Sequence, residues 1–305
     1  MKNYSKQYKN RGFRPDRILS IVYNEEVSRG LMDVLGLIAP QAKRGDIKNW
    51  LKYGHVKVNG HITSAFDFPV VNGVTVDVNL SRPFVMFRHH RLELVYEDDD
   101  IIVVNKGYGL LSVGTGAPVG GKPGKPQETA YNILKDYVKA QHPANKIFVI
   151  HRLDRHTSGL MMFAKSAEMQ EAMQHNWNNM VLSRKYVALV EGYVAKDEGI
   201  IKSCLEENSA FKVFSSADDR GKIAVTRYRV LKRYRNTTLV EFELDTGRKN
   251  QIRVHAADMG HPIVGDIKYG GHVSPLHRLA LHAQTLRFAH PRSRKDMHFI
   301  SDIPW

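Results

Sequence analysis

The chain has 305 residues, room for one or two domains with packed cores, and its 42% hydrophobic and 25% charged residues are the composition of a soluble globular protein. No apolar run approaches the roughly 20 residues of a bilayer span, the basic start lacks the apolar stretch of a secretory signal, and a single cysteine, Cys204, excludes a disulfide framework, so the expected setting is the cytoplasm. Lys and Arg outnumber Asp and Glu by 45 to 31, a net charge of +14, which points to a polyanionic partner: RNA, DNA or an acidic membrane surface.

Residues 1–20 form a basic tail, with Lys2, Lys6, Lys9, Arg11, Arg14 and Arg17 against Asp16, and are expected to be disordered when free. Residues 21–80 read as a small α+β module. It begins with mixed apolar segments. "RGDIKNWLKYG" then predicts a short helix, because Ile47, Trp50 and Leu51 share a face and Gly54 stops it. "HVKVNGHIT" is a hairpin on the Asn59-Gly60 turn, and "GVTVDVNL" alternates as another strand. Lys43, Arg44, Lys48 and Lys52 crowd the helix and its start, placed to grip a phosphate backbone or to form a solvated helix face.

Residues 81–91 read as a linker, and 92–305 as a second domain. "LELVYED" and "DIIVVNK" are strands about an acidic turn. The Gly/Pro-rich 114–126 is a loop, since the G-K-[ST] of a phosphate-binding loop does not follow it. A helix at about 128–140, the strand "KIFVI", the loop "HRLDRHTSG" at 151–159 and the strand "LMMFAK" come next. Ser166 caps a helix over "SAEMQEAMQHNW". "SRKYVALVEG" is a strand, "IAVTRYRVLKRY" and "TTLVEFELDTG" pair antiparallel, "RKNQIRVHAADMG" is a short helix closed by Gly260, and "HRLALHAQTLRFAHP" is a late strand. The fold class is therefore α+β: a small α+β module, then a mixed, largely antiparallel sheet with flanking helices.

The loop 151–159 holds one carboxylate, Asp154, between Arg152 and Arg155. Opposite charges would keep it ionised. An isolated Arg-x-Asp-Arg is most often a surface ion pair, but later segments change that weighting. "HRLDRHTSGLMMFAKS", "RKYVALVEG", "GRKNQIRVHAADMGHPIVGD" and "HRLALHA", in that order, resemble the RluA-type family of RNA pseudouridine synthases over about residues 92–300. "LKYGHVKVNG" followed by "VNGVTVDV" resembles the S-four-type RNA-binding domain, and the pairing of the two resembles members that modify large-subunit ribosomal RNA.

The resemblance implies an isomerase that breaks the bond from ribose to N1 of uracil and rejoins the base through C5, with no cofactor and no metal. Asp154 matches the family's catalytic aspartate, and the sequence leaves open whether it attacks the sugar, attacks the base or abstracts a ribose proton. Tyr186 matches the tyrosine that packs on the target base, with a hydroxyl placed to assist loss of the C5 proton. Arg253 matches the arginine that pairs with the catalytic carboxylate, and Arg152 the arginine that enters the RNA stack when the uridine is flipped out. Thr157, Ser158 and Gly159 are read as shaping the loop.

Three departures stand out. Lys249 and Asn250 replace a small hydroxyl residue and a histidine; Gly107 replaces a proline, so a looser turn is expected there; and the chain stops at "ISDIPW", early for the family, so a final helix is expected to be missing. The histidines show no H-E-x-x-H arrangement, so no metal site is expected. The expected partner is RNA, met by a monomer away from membranes. Two other readings share these residues: a synthase acting on transfer RNA, and a non-catalytic RNA-binding ribosome-assembly factor. The joint presence of Asp154, Tyr186 and Arg253 argues against the second.

Overall fold

The computed structural model describes residues 17–114, 127–216, 218, 220–272 and 276–305. The basic tail before Arg17 and the Gly/Pro-rich loop from residue 115 lie outside the described residues. The chain divides into two compact units between Met86 and Phe87, within the stretch read as a linker.

In the first unit the strands Ile18–Val22, Thr75–Asn79, Val56–Val58 and His61–Ile62 lie side by side in that order, all antiparallel. The tight hairpin exists because Asn59 and Gly60 both take positive φ, 48° and 81°. The helix Arg44–Lys52 buries Ile47 and Leu51 and half-buries Trp50, and its first turn is fixed by the Asp46 carboxylate, which accepts the Lys43 N–H at 3.0 Å. A second helix, Leu31–Ile38, stands where only mixed apolar segments were expected, and it adds Leu31, Val34 and Leu35 to the same core.

The second unit is built on an eleven-stranded sheet. One interior strand, Ser158–Ala164, is buried at every position. Alternation explains this. Met161 and Phe163 face a core shared with the helix Ala130–Gln141, while Leu160, Met162 and Ala164 face another shared with the helix Ala167–His175. Ser166 does cap the latter, accepting the Met169 N–H at 3.1 Å. On one side Ser158–Ala164 pairs antiparallel with Ile101–Lys106. On the other it meets Leu281–Ala289 in the sheet's parallel contact, Ser158 against His282 and Gly159 against Ala283. Beyond that lie Val181–Glu191, Thr237–Leu244, Lys222–Arg233, Glu198–Glu207 and Val213–Ser216, each antiparallel to its neighbour. "KIFVI" yields only a two-residue strand, Phe148–Val149, while Ile147 and Val149 pack on one core and Phe148 and Ile150 on the other, the alternation of an extended segment.

Candidate active site

The loop between Phe148–Val149 and Ser158–Ala164 crosses the floor of a cleft of about 720 Å³ in the second unit. Its backbone is clamped on both sides of Asp154. Just before it, Leu153 donates its N–H to Ser112 Oγ at 3.1 Å, and the same hydroxyl donates to Leu153 O at 2.7 Å. Just after it, Thr157 N–H closes a turn on Asp154 O at 3.1 Å, and Gly109 N–H reaches Arg155 O at 3.0 Å. Behind the turn lies Lys106, with no exposed surface, its Nζ donating to Leu110 O at 2.8 Å, Gly107 O at 3.2 Å and Arg155 O at 3.4 Å. Burial pushes this ammonium down to about 7, with the Asp154 charge pulling the other way.

The exit from the loop is fixed as firmly. Gly159 has φ +119°, and a Cβ there would lie 2.2 Å from Ala283 O, so only glycine admits the parallel contact. Ser158 Oγ lies 2.9 Å from His282 Nδ1, and His282 Nε2 lies 3.1 Å from Ser301 Oγ, a buried chain of three polar groups. Arg278 donates to the same Ser158 hydroxyl and lies over the rings of Tyr108 and Trp305. At the loop's start, His151 Nε2 accepts the Met162 N–H at 3.1 Å, which requires a bare ring nitrogen. Burial, reinforced by the Arg184 charge, pushes that imidazole down to about 3.

Arg152, Asp154, Tyr186 and Arg253 all line this cleft. Arg152 is exposed, and among the described residues neither its guanidinium nor the Asp154 carboxylate has a hydrogen-bonded partner. The Tyr186 phenol is raised by burial, with Asp154 adding to the rise and Arg184 opposing it. Arg253 departs from expectation. Its Nε and Nη2 donate to the two carboxylate oxygens of Asp266 at 2.7 and 2.6 Å, and its Nη1 donates to Asn250 Oδ1 at 3.2 Å. The hydrogen-bonded carboxylate is thus Asp266, wholly buried, and Asp154 interacts with Arg253 only through space. Asn250 takes the left-handed conformation at the start of the helix Gln251–Asp258 and also donates to the Tyr269 hydroxyl at 3.0 Å, so this departure from the family pattern is a bracket for Arg253. Gly107 likewise departs from expectation: its N–H donates to Arg91 O at 2.7 Å, a bond proline cannot make, so the turn is pinned and not loose.

Sequence reasoning passed over Arg184 and Lys106. Arg184 lines the cleft two residues before Tyr186, on the same face of its strand. It lies over the Trp177 ring and donates to Leu244 O at 3.2 Å. The period-two spacing in "RKYVALV" was the signal for it. Lys106 carried no signal beyond its place at the end of an apolar strand. Arg248 and Lys249 complete a basic rim. Lys43, Arg44, Lys48 and Lys52 belong to the first unit, all exposed, with no ion-pair partner among the described residues. Among the described residues no cluster of His, Cys, Asp and Glu is placed to hold a metal ion, and no helix is long and apolar enough to cross a membrane.

The arrangement supplies a positioned carboxylate, an aromatic face and several cations in one cleft, which suits chemistry on a nucleotide. Comparison with known proteins agrees. The family model for RNA pseudouridylate synthase matches residues 100–258. The chain is 32% identical to ribosomal large subunit pseudouridine synthase D of Haemophilus influenzae, across 93% of this chain and 90% of that protein. It is 34% identical to the uncharacterized RNA pseudouridine synthase YlyB of Bacillus subtilis, across 86% of each. Among solved structures, human RNA pseudouridylate synthase domain containing 4 shares the fold with a TM-score of 0.57 at 24% identity, covering 70% of this chain and 88% of that one.

Proposed function

Because the chain belongs to the RNA pseudouridylate synthase family and is a pseudouridine synthase, we propose that its substrate is large-subunit ribosomal RNA and that Asp154 is its catalytic carboxylate. The observation that carries the site assignment is Asp154 itself: an acid clamped through its backbone on both sides, with its side chain left without a hydrogen-bonded partner among the described residues in a basic cleft. Relatives named ribosomal large subunit pseudouridine synthase D, similar across about nine-tenths of their length, support the choice of RNA.

On this reading a uridine is flipped into the cleft and Arg152, exposed and unpaired among the described residues, fills the gap left in the stack. The uracil lies on the Tyr186 ring. The N1–C1′ bond breaks with Asp154 stabilising or capturing the sugar or base. The base then turns, C5 bonds to C1′, and the C5 proton is lost while N1 regains one. The raised phenol stays protonated at neutral pH, so Tyr186 serves as a ring face and an O–H donor. Arg253 contributes positive charge near Asp154 while Asp266 holds it still. No step calls for a cofactor. The first unit adds phosphate contacts through Lys43, Arg44, Lys48 and Lys52, and the protein acts as a cytoplasmic monomer.

Chemical mapping of pseudouridine in RNA from cells with and without the protein, together with reaction of the purified protein on unmodified large-subunit ribosomal RNA, tests this. A mark should vanish at a defined uridine and be restored by the wild-type chain but not by Asp154→Asn, whose RNA affinity stays intact. A mark that disappears only from transfer RNA would reassign the substrate, and full activity in Asp154→Asn would overturn the site.

A further inference from the structure

A second cleft, of about 690 Å³, opens beside the helix Ala130–Gln141 and plays no part in the chemistry above. Its lining includes Lys135, Lys139 and Lys146, the rings of Tyr131 and Phe148, and no carboxylate. Lys139 and Lys146 are exposed and without an ion-pair partner among the described residues; Lys135 has only a 3.5 Å contact to Asn132 Oδ1. The two clefts are neighbours along the chain: Phe148 and Val149 line the second, and Ile150 through Asp154 line the first. One helix face spans the join. Gln170, in the second cleft, and Gln174, in the first, both donate to Val149 O, at 2.8 and 3.1 Å, and Gln174 also reaches Ile150 O at 3.0 Å.

We infer that this second cleft binds the single-stranded flank of the RNA whose uridine enters the active site, an inference that rests on the functional reading above. Lysines free of acids attract phosphates, and half-buried aromatic rings offer faces on which bases stack, the pairing of features that single-stranded nucleic acid requires. Adjacency to the active-site cleft, across Val149 and Ile150 and one turn of the Gln170–Gln174 helix, makes the occupant the substrate strand itself. Flipping a uridine already unstacks its neighbours, so the strand leaving the site has bases available to stack.

The test uses the full chain carrying Lys135→Gln, Lys139→Gln and Lys146→Gln, with fluorescent oligouridylates of about 5 and about 20 nucleotides as probes, lengths that bracket one single-strand site. Wild-type protein should bind the longer probe more tightly. The triple variant should lose about tenfold on the longer probe and keep its affinity for the shorter one, and its salt slope on the longer probe should fall by about 2, the value for three phosphate contacts on a single strand. The matching triple Lys→Arg variant should bind as wild type does. Unchanged binding of both probes, an equal loss on both, or a loss seen only with a duplex of the longer length would overturn the inference. Failure of the wild-type protein to form pseudouridine in ribosomal RNA would instead sink the functional reading, and would leave the comparison of probes standing.

Discussion

Asp266 holds Arg253 by two hydrogen bonds, with its side chain fully buried and that of Arg253 only 12% exposed. Removing one partner of such a pair strands the other charge, and the usual cost is about 3–5 kcal/mol. Asp266→Ala should therefore lower the urea midpoint markedly, and pseudouridine formation should fall with it; an unchanged midpoint would show that Arg253 finds another partner. Lys106 makes a prediction of opposite character. The unfolded chain keeps this proton to about pH 10.5, whereas the folded protein releases it near 7. Between those values the unfolded state binds more protons, so stability due to this group rises as pH rises, by up to about 1.4 kcal/mol per unit. Urea unfolding of the wild type relative to Lys106→Met should show that rise between pH 7 and 10, and a flat difference would mean the ammonium stays charged in the fold.

Where strands meet, backbone clearance sets the limits. Gly159→Ala would drive a methyl into Ala283 O, and the parallel contact would open at a cost of about 3 kcal/mol or more, measurable as a lowered melting temperature with lost activity. Elements whose cause is local were legible in the sequence: the Asn59-Gly60 hairpin, the Ser166 cap and the Gly260 stop each follow from one or two residues. The helix Leu31–Ile38 was not, because Gly30 gives it no side-chain cap and its run is too uniformly apolar to show a polar face. The strand Glu198–Glu207 escaped because its alternation runs through exposed and half-exposed positions. In the candidate site the sequence motifs singled out Asp154, Tyr186, Arg152 and Arg253, and all four line one cleft. The Asp266 partnership was hidden, since a turn 13 residues beyond Arg253 leaves no periodic trace.

Charge acts over the whole molecule. The net +14 includes Lys43, Arg44, Lys48 and Lys52, and converting all four to glutamine leaves 14 − 4 = +10. If each neutralises one phosphate, the slope of log affinity against log salt should shrink by about 3 to 4. Titrating ribosomal RNA binding from low to high salt checks this, and an unaltered slope would remove the helix from the interface. The parallel contact of Ser158 and Gly159 carries a last consequence, one of timing. Ser158 and His282 are 124 positions apart, and the strand that completes the loop's exit is itself flanked by Asp296–Ile300. Nothing made earlier can stand in for it. A chain still emerging from the ribosome thus has Asp154 long before it has the strand that fixes the exit of its loop. A fragment that ends before those last strands should therefore bind RNA without altering it, which a truncated chain tests directly.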